Sequence, residues 1–213
     1  MNLPELSSAF QKRLESKMAA REKALSASRR SIRSSANAIR AIHRGELDQA
    51  HTLMDESAAA IQAGRDAVLQ DHADIYFAGF LQDAQKEYAE ARLTEALVTA
   101  SDLPSPEDLG VELAPYLNGM SESIGEGRRA ILDLLRRGEV EEGERILSLM
   151  EDMYYLLVSM DFPDAMTGNL RRSTDVARAI MERTRGDLTV TIVQRRLHQA
   201  LERRANELKG DAT

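Results

Sequence analysis

Between Pro4 and Gly45 the chain holds neither proline nor glycine. A stretch of about 40 residues without a helix breaker predicts one continuous N-terminal helix, about 60 Å long at 1.5 Å per residue. A helix of that length outruns the globule that 213 residues can form, so it predicts an oligomer. The rest of the sequence has the same helical character. Five prolines and 12 glycines, against abundant Ala, Leu, Glu and Arg, suit an all-α fold. No segment alternates apolar and polar residues as a half-buried strand would. The length suits a single helical domain spanning residues 1–213.

Beyond the turn at Gly45, apolar residues at helical spacing predict helices over about 47–70, 73–100, 111–137 and 140–160, with Pro104 and Pro106 separating the middle two. Phe77, Leu81, Ala84, Tyr88 and Ala91 form the apolar stripe of the third helix, and Leu147, Met150, Met153, Tyr154 and Leu157 that of the fifth. Arg44-Gly45-Glu46 and Arg137-Gly138-Glu139 hint at a repeated helical hairpin. In the turn Asp161-Phe162-Pro163-Asp164, either Asp161 or Asp164 is placed to cap the last helix, from Ala165 to about Leu208, with a break expected near Thr184–Asp187. The β-branched run Leu188–Val193 has no second strand to pair with and reads as buried or subunit-contacting helix. Residues 209–213 read as a frayed tail.

The formal net charge is −7, but it is unevenly spread. Residues 1–44 hold ten Lys/Arg against three acids and residues 171–213 ten against six, while residues 45–170 hold eight against 26. Basic ends on an acidic protein point to a polyanionic partner steered to particular surfaces. Arg29, Arg30, Arg33, Arg40 and Arg44, with His43 beside them, are the candidate nucleic-acid-binding residues. Ser26, Ser28, Ser31, Ser34 and Ser35 lie between them, and small hydroxyl residues suit close approach to phosphates. No aromatic residue follows Phe10 in this stretch, so such a helix would hold the nucleic-acid backbone without reading bases.

Two other stretches carry paired acids. In Gln85-Lys86-Glu87-Tyr88-Ala89-Glu90-Ala91, Glu87 and Glu90 are three apart, which on a helix places their Cβ atoms about 5–6 Å from one another. Glu122 and Glu126, at i and i+4, share a face of the next long helix. Such pairs arise by chance on solvated faces of a chain that is 30% charged; they also serve as cation ligands. The chain has no cysteine, so any metal here sits on oxygen or His ligands, and no pair of its four histidines has the spacing of a zinc protease helix, which favours hard cations such as Mg²⁺ or Mn²⁺ over zinc. No apolar run is long enough for a membrane span and the start has no leader pattern, an expectation of a cytoplasmic protein.

These segments together resemble the translin family, which includes translin and translin-associated factor X, and in particular its archaeal single-subunit members. The resemblance covers most of the chain. It is carried by Ile39-Arg40-Ala41-Ile42-His43-Arg44-Gly45-Glu46, by Lys86-Glu87-Tyr88-Ala89-Glu90-Ala91, and by Tyr116-Leu117 through Gly125-Glu126-Gly127-Arg128-Arg129. It continues through the segment from Tyr154 to Ala165 and through Leu170-Arg171-Arg172-Ser173-Thr174-Asp175-Val176-Ala177-Arg178. The resemblance implies a bundle of about seven helices assembled as an octameric hollow shell. It also implies binding of single-stranded RNA or DNA and, for members of the factor X type, metal-dependent endoribonuclease activity. The catalytic-type pattern of acid, Tyr, any residue, acid is matched by Glu87-Tyr88-Ala89-Glu90. A third acid follows the Tyr-Leu-x-Gly segment, and here it is Glu122 where catalytic members carry Asp; Glu126 matches a nearby acid. By this resemblance Glu87, Glu90 and Glu122 are the catalytic residues and, with Glu126, the ligands of Mg²⁺ or Mn²⁺. The ion would acidify a water for attack on a phosphodiester, inside a shell that admits flexible single strands and not a stiff duplex.

Other readings stay open. A non-catalytic single-stranded nucleic-acid binder, like translin, needs the basic helix and no metal. A helical nucleotide pyrophosphohydrolase pairs acids as ExxE and then ExxD; Glu87 and Glu90 fit the first half, but Glu122 is followed at +3 by Gly125. A ferritin-like di-iron bundle needs Glu-x-x-His pairs, and the sequence has none.

Overall fold

The computed structural model of the protein describes residues 2–210, which form nine helices and no strand. In chain order these are α1 (Leu3–Arg44), α2 (Leu47–Asp66), α3 (Ala73–Tyr76), α4 (Phe80–Thr99), α5 (Pro106–Leu109), α6 (Leu113–Arg137), α7 (Val140–Ser159), α8 (Asp164–Thr167) and α9 (Leu170–Gly210). The all-α expectation holds. Three of the nine are single four-residue turns, so six long helices build the bundle.

The uninterrupted first helix is present at 42 residues. Asn2 and Glu5 start it with a capping box, each side chain accepting the other's backbone N–H. It stops at Gly45, where φ is +75°, a left-handed conformation that glycine adopts without Cβ strain. There Glu46 N–H donates to Ala41 O and Gly45 N–H to Ile42 O, satisfying two orphan carbonyls of the helix end. Gly138 repeats the device at φ +80°, with Glu139 N–H donating to Leu134 O and Gly138 N–H to Leu135 O. The two Arg-Gly-Glu turns thus close two hairpins, α1/α2 and α6/α7.

The helices stack in order. α1 packs on α2 and α4, α4 on α6, and α6 on α7 and α9. Small residues let α1 approach its neighbours closely: Ala24, Ala27, Ser28, Ser31, Ser35 and Ala38 are all buried. This corrects the role expected for the serines. Ser31 and Ser35 both meet the Ser57 hydroxyl, at 2.7 and 2.8 Å, and Ser28 donates to Phe80 O. Three of the five hydroxyls therefore find their partners on α2 and α4 inside the bundle and do not face a phosphate. The fifth helix's stripe, from Leu147 to Leu157, is core as expected.

Other boundaries differ. The helix expected over 73–100 is two helices, α3 and α4, divided at Gly79 with φ +100°; Phe77 leaves the apolar stripe and is 73% exposed. Neither Asp161 nor Asp164 caps a helix: Pro163 occupies the cap of α8, and Asp164 is its first residue. Gly168 and Asn169, at φ +61° and +65°, separate α8 from α9. α9 then continues without the break expected near Gly186, because Leu170, Thr174, Ala177, Met181, Thr184 and Leu188 form one unbroken buried stripe. The run Leu188–Val193 is helical, as read, and α9 extends through Gly210; residues 211–213 of the expected frayed tail lie outside the described residues.

Two segments leave the core. No residue from 2 to 23 is buried, and none from 189 to 208. Both carry exposed apolar side chains, Leu3, Phe10, Leu14 and Met18 on α1 and Val190, Val193, Leu197 and Leu201 on α9. Among the described residues no helix is long and apolar enough to cross a membrane.

Candidate metal and nucleic-acid site

The α4–α6 contact at the middle of the bundle brings the sequence's acids together. Tyr88 and Ala91 bury one face of α4, which leaves Glu87 and Glu90 on the flank toward α6. Gly119 allows α6 to come close: a Cβ there would lie 2.6 Å from Lys86 O and 3.0 Å from the backbone nitrogen of Glu90. One turn further along α6, Glu122 reaches the α4 acids. Each of Glu87, Glu90 and Glu122 offers a carboxylate oxygen, and these three atoms lie within 4.8 Å of one another. The start of α6 is pinned to α4 by Gln85, whose side chain accepts from Glu112 N–H at 2.8 Å and donates to the buried Tyr76 hydroxyl at 3.2 Å.

Crowding the acids has an electrostatic cost. The Glu90 carboxyl is pushed up to about 8, first by its burial and then by the charges of Glu87, Glu122 and Glu126. Lys86 offsets part of this. Its Nζ lies 2.8 and 2.7 Å from the two oxygens of Glu122 and 3.2 Å from Glu87 Oε1. Burial alone would lower the Lys86 pKa, but Glu122 and Glu87 outweigh it and leave it raised.

The fourth acid has a different partner. Glu126 Oε2 lies 2.5 Å from His43 Nε2 and 3.6 Å from Arg129. The His43 bond, opposed by burial, holds Glu126 below the ordinary carboxylate range. Glu126 is near enough to raise Glu90 but is not one of the three acids whose oxygens converge. The same pair settles His43, whose side chain is 5% exposed and committed to α6. It is not a phosphate ligand on the arginine face.

The candidate arginines are on the surface. Arg29, Arg33, Arg40 and Arg44 recur at spacings of 4, 7 and 4, which places them within one narrow stripe of α1, and all are exposed. Arg40 donates to Asn37 and Arg44 pairs with Glu46. Arg30 stands off the stripe and, with Arg33, lines a hollow of about 510 Å³ against α2.

Two residues quoted in the sequence without a role enter the site. Lys86 showed a signal, since it precedes Glu90 by one helical turn, but its contact with Glu122 spans 36 residues. Arg172 showed none. It lines a cleft of about 370 Å³ with Glu90, Ser121, Glu122, Ser173, Val176 and Ile180. Asn118 holds α9 at that place: its amide donates to Thr167 O at 2.7 Å and accepts from the Ser173 hydroxyl at 2.9 Å.

The donor set suits a hard divalent cation. All three converging groups are carboxylates, the oxygen donors that Mg²⁺ and Mn²⁺ prefer.

No protein-family model matches the chain. It is 30% identical over 192 residues to the uncharacterized protein MJ0175 of Methanocaldococcus jannaschii, covering 89% of this chain and 84% of that one. Among solved structures it is similar to AfC3PO, at 32% identity and a TM-score of 0.80, covering 88% of this chain and 97% of that one. AfC3PO in a complex with duplex RNA matches at 31% identity and a TM-score of 0.77, over the same shares. Apo-NeC3PO shares the fold, with a TM-score of 0.76 at 22% identity over 89% of this chain and 97% of that one. With the acids on adjoining helices and the long first helix in place, these likenesses to C3PO proteins show that the chain belongs to the translin family.

Proposed function

We propose that the protein is a nucleic-acid-binding endoribonuclease that works as a homo-oligomer, of the octameric kind, with Mg²⁺ or Mn²⁺ held by Glu87, Glu90 and Glu122. The observation that carries this reading is the convergence of three carboxylates, two from one turn of α4 and one from α6, beside an open cleft. When bound, the ion would supply an acidified water and neutralise charge on a phosphodiester. The protein's own groups would do the rest. Arg172 stands in the same cleft as Glu90 and Glu122, and among the described residues it has no carboxylate partner, so its guanidinium is free to grip a phosphate oxygen. Even with Lys86 nearby the Glu90 carboxyl keeps its proton up to about pH 8, so a divalent ion would favour its ionisation at neutral pH. The arginine stripe of α1 would hold the strand through its backbone. Both unburied helix segments carry apolar side chains that another copy of the chain would cover.

AfC3PO has been solved with duplex RNA, which supports RNA as the ligand class, duplex as well as single-stranded. A second reading, a binder without catalysis, is favoured by one observation: Lys86 already pairs with both Glu87 and Glu122.

Incubating the protein with labelled single-stranded and duplex RNA, in Mg²⁺, in Mn²⁺ and in chelator, separates the two. Fragments that appear only with the metal, and that vanish in Glu87→Gln and Glu90→Gln while RNA is still retained, support the enzyme. RNA retained intact under every metal supports the binder.

A further inference from the structure

We propose that Lys86 is the resident counter-cation of the acid site, and that a divalent ion binds there only by displacing it. The inference rests on the cation reading above and concerns what the ion competes with. Three ammonium protons are available on Lys86, and three carboxylate oxygens lie around Nζ, two from Glu122 at 2.7 and 2.8 Å and one from Glu87 at 3.2 Å. One hydrogen bond to Glu122 Oε1 and two further ion-pair contacts, to Glu122 Oε2 and Glu87 Oε1, therefore commit the lysine to side chains that would ligate the ion. Its side chain is only 24% exposed, so water screens these contacts less than at an open surface.

The ammonium explains how the acids stay assembled. Like charges this close repel, yet Glu122 is drawn across the helix interface toward α4 and not away from it. Lys86 is the basic group that touches acids on both helices. A divalent ion asks for the same oxygens at a shorter distance, about 2.0–2.1 Å for Mg²⁺. An ion so placed would stand within a few ångströms of Nζ, and two cations at that separation repel strongly where water is scarce. One must leave. The lysine lies on a flexible stem and is partly exposed, so it can swing outward while the carboxylates remain. The consequence is selectivity: Na⁺ or K⁺ would only exchange one unit charge for another, whereas a divalent ion brings a second charge to the carboxylates, so the competition with Lys86 favours small divalent ions.

The test measures Mn²⁺ binding to the full chain by calorimetry, without RNA, for the unmutated protein, Lys86→Met and Lys86→Arg, with thermal melting in chelator to establish that each is folded. Deleting a competitor that makes charged hydrogen bonds should tighten Mn²⁺ binding by about tenfold in Lys86→Met. Lys86→Arg keeps the charge and should leave the affinity weak. If Lys86→Met fails to fold, Lys86→Gln carries the same comparison with a polar, uncharged side chain. Unchanged or weaker Mn²⁺ binding in the uncharged variant overturns the inference alone, since it would show that Lys86 only positions the acids. Absence of Mn²⁺ binding by every protein, uncharged variants included, overturns the cation reading and this inference with it.

Discussion

Gly119 lies so close to Lys86 that a Cβ on the glycine would stand 2.6 Å from the lysine's carbonyl oxygen. The obstacle is helix backbone, which cannot move aside as a side-chain tip can. Gly119→Ala should therefore push α6 away from α4, costing about 1–3 kcal/mol of stability, as overpacking does. It should also weaken Mn²⁺ binding by separating Glu122 from Glu87 and Glu90. Chemical denaturation and calorimetry check the two effects. A variant that loses stability but keeps wild-type Mn²⁺ affinity would show that the acid site does not depend on this approach.

The raised Glu90 pKa makes a signed prediction about stability. In the unfolded chain this carboxyl gives up its proton near its ordinary 4.5, whereas in the folded protein it keeps it to about 8. Between those values the folded state binds more protons, so the Glu90 contribution to stability falls as pH rises through that window. Melting in chelator should show the decline from about pH 5 to about pH 8. Glu90→Gln should flatten it, and saturating Mn²⁺ should reverse it, because the ion favours the ionised carboxylate.

Glu126 should behave in the opposite sense. His43 holds its pKa below the ordinary range, so its contribution is present at neutral pH and is lost as pH falls through the acid range. Glu126→Gln should destabilise the protein at neutral pH and diminish that acid-side loss, as read by melting curves of the two proteins across pH.

Arg29 and Arg33 are exposed on the same stripe of α1 and have no carboxylate partner among the described residues. Replacing both with Ala should weaken binding to all single-stranded RNA sequences alike. The log–log salt dependence should flatten by roughly 0.7 for each lost contact. Titrations at several salt concentrations measure the slope; a loss confined to one sequence would mean that these residues read bases.

The unburied stretches 2–23 and 189–208 predict an assembly. Light scattering at micromolar concentration should give a mass several times that of one 23.7 kDa chain. A substitution such as Leu197→Asp, on the exposed face of α9, should lower that mass without unfolding the protein.

Much of this molecule was legible in one dimension. The absence of helix breakers before Gly45 determined the long helix, because helix formation is limited first by the local backbone. Gly45 and Gly138 determined the two hairpin turns, because a left-handed residue ends a helix wherever it occurs. Spacing alone put Glu87 beside Glu90. Whether Glu122 joins them, and Glu126 does not, was decided by the α4–α6 approach at Gly119 and by His43 arriving from α1. The same holds for Ser31 and Ser35, whose hydroxyls turn inward to Ser57, for the contact of Lys86 with Glu122, and for Arg172, which enters the site from a position with no local mark of function. Periodicity states which face a helix buries, but not which helix it meets or how near. The charge partners of a side chain depend on those two quantities, and they exist only once the helices have packed.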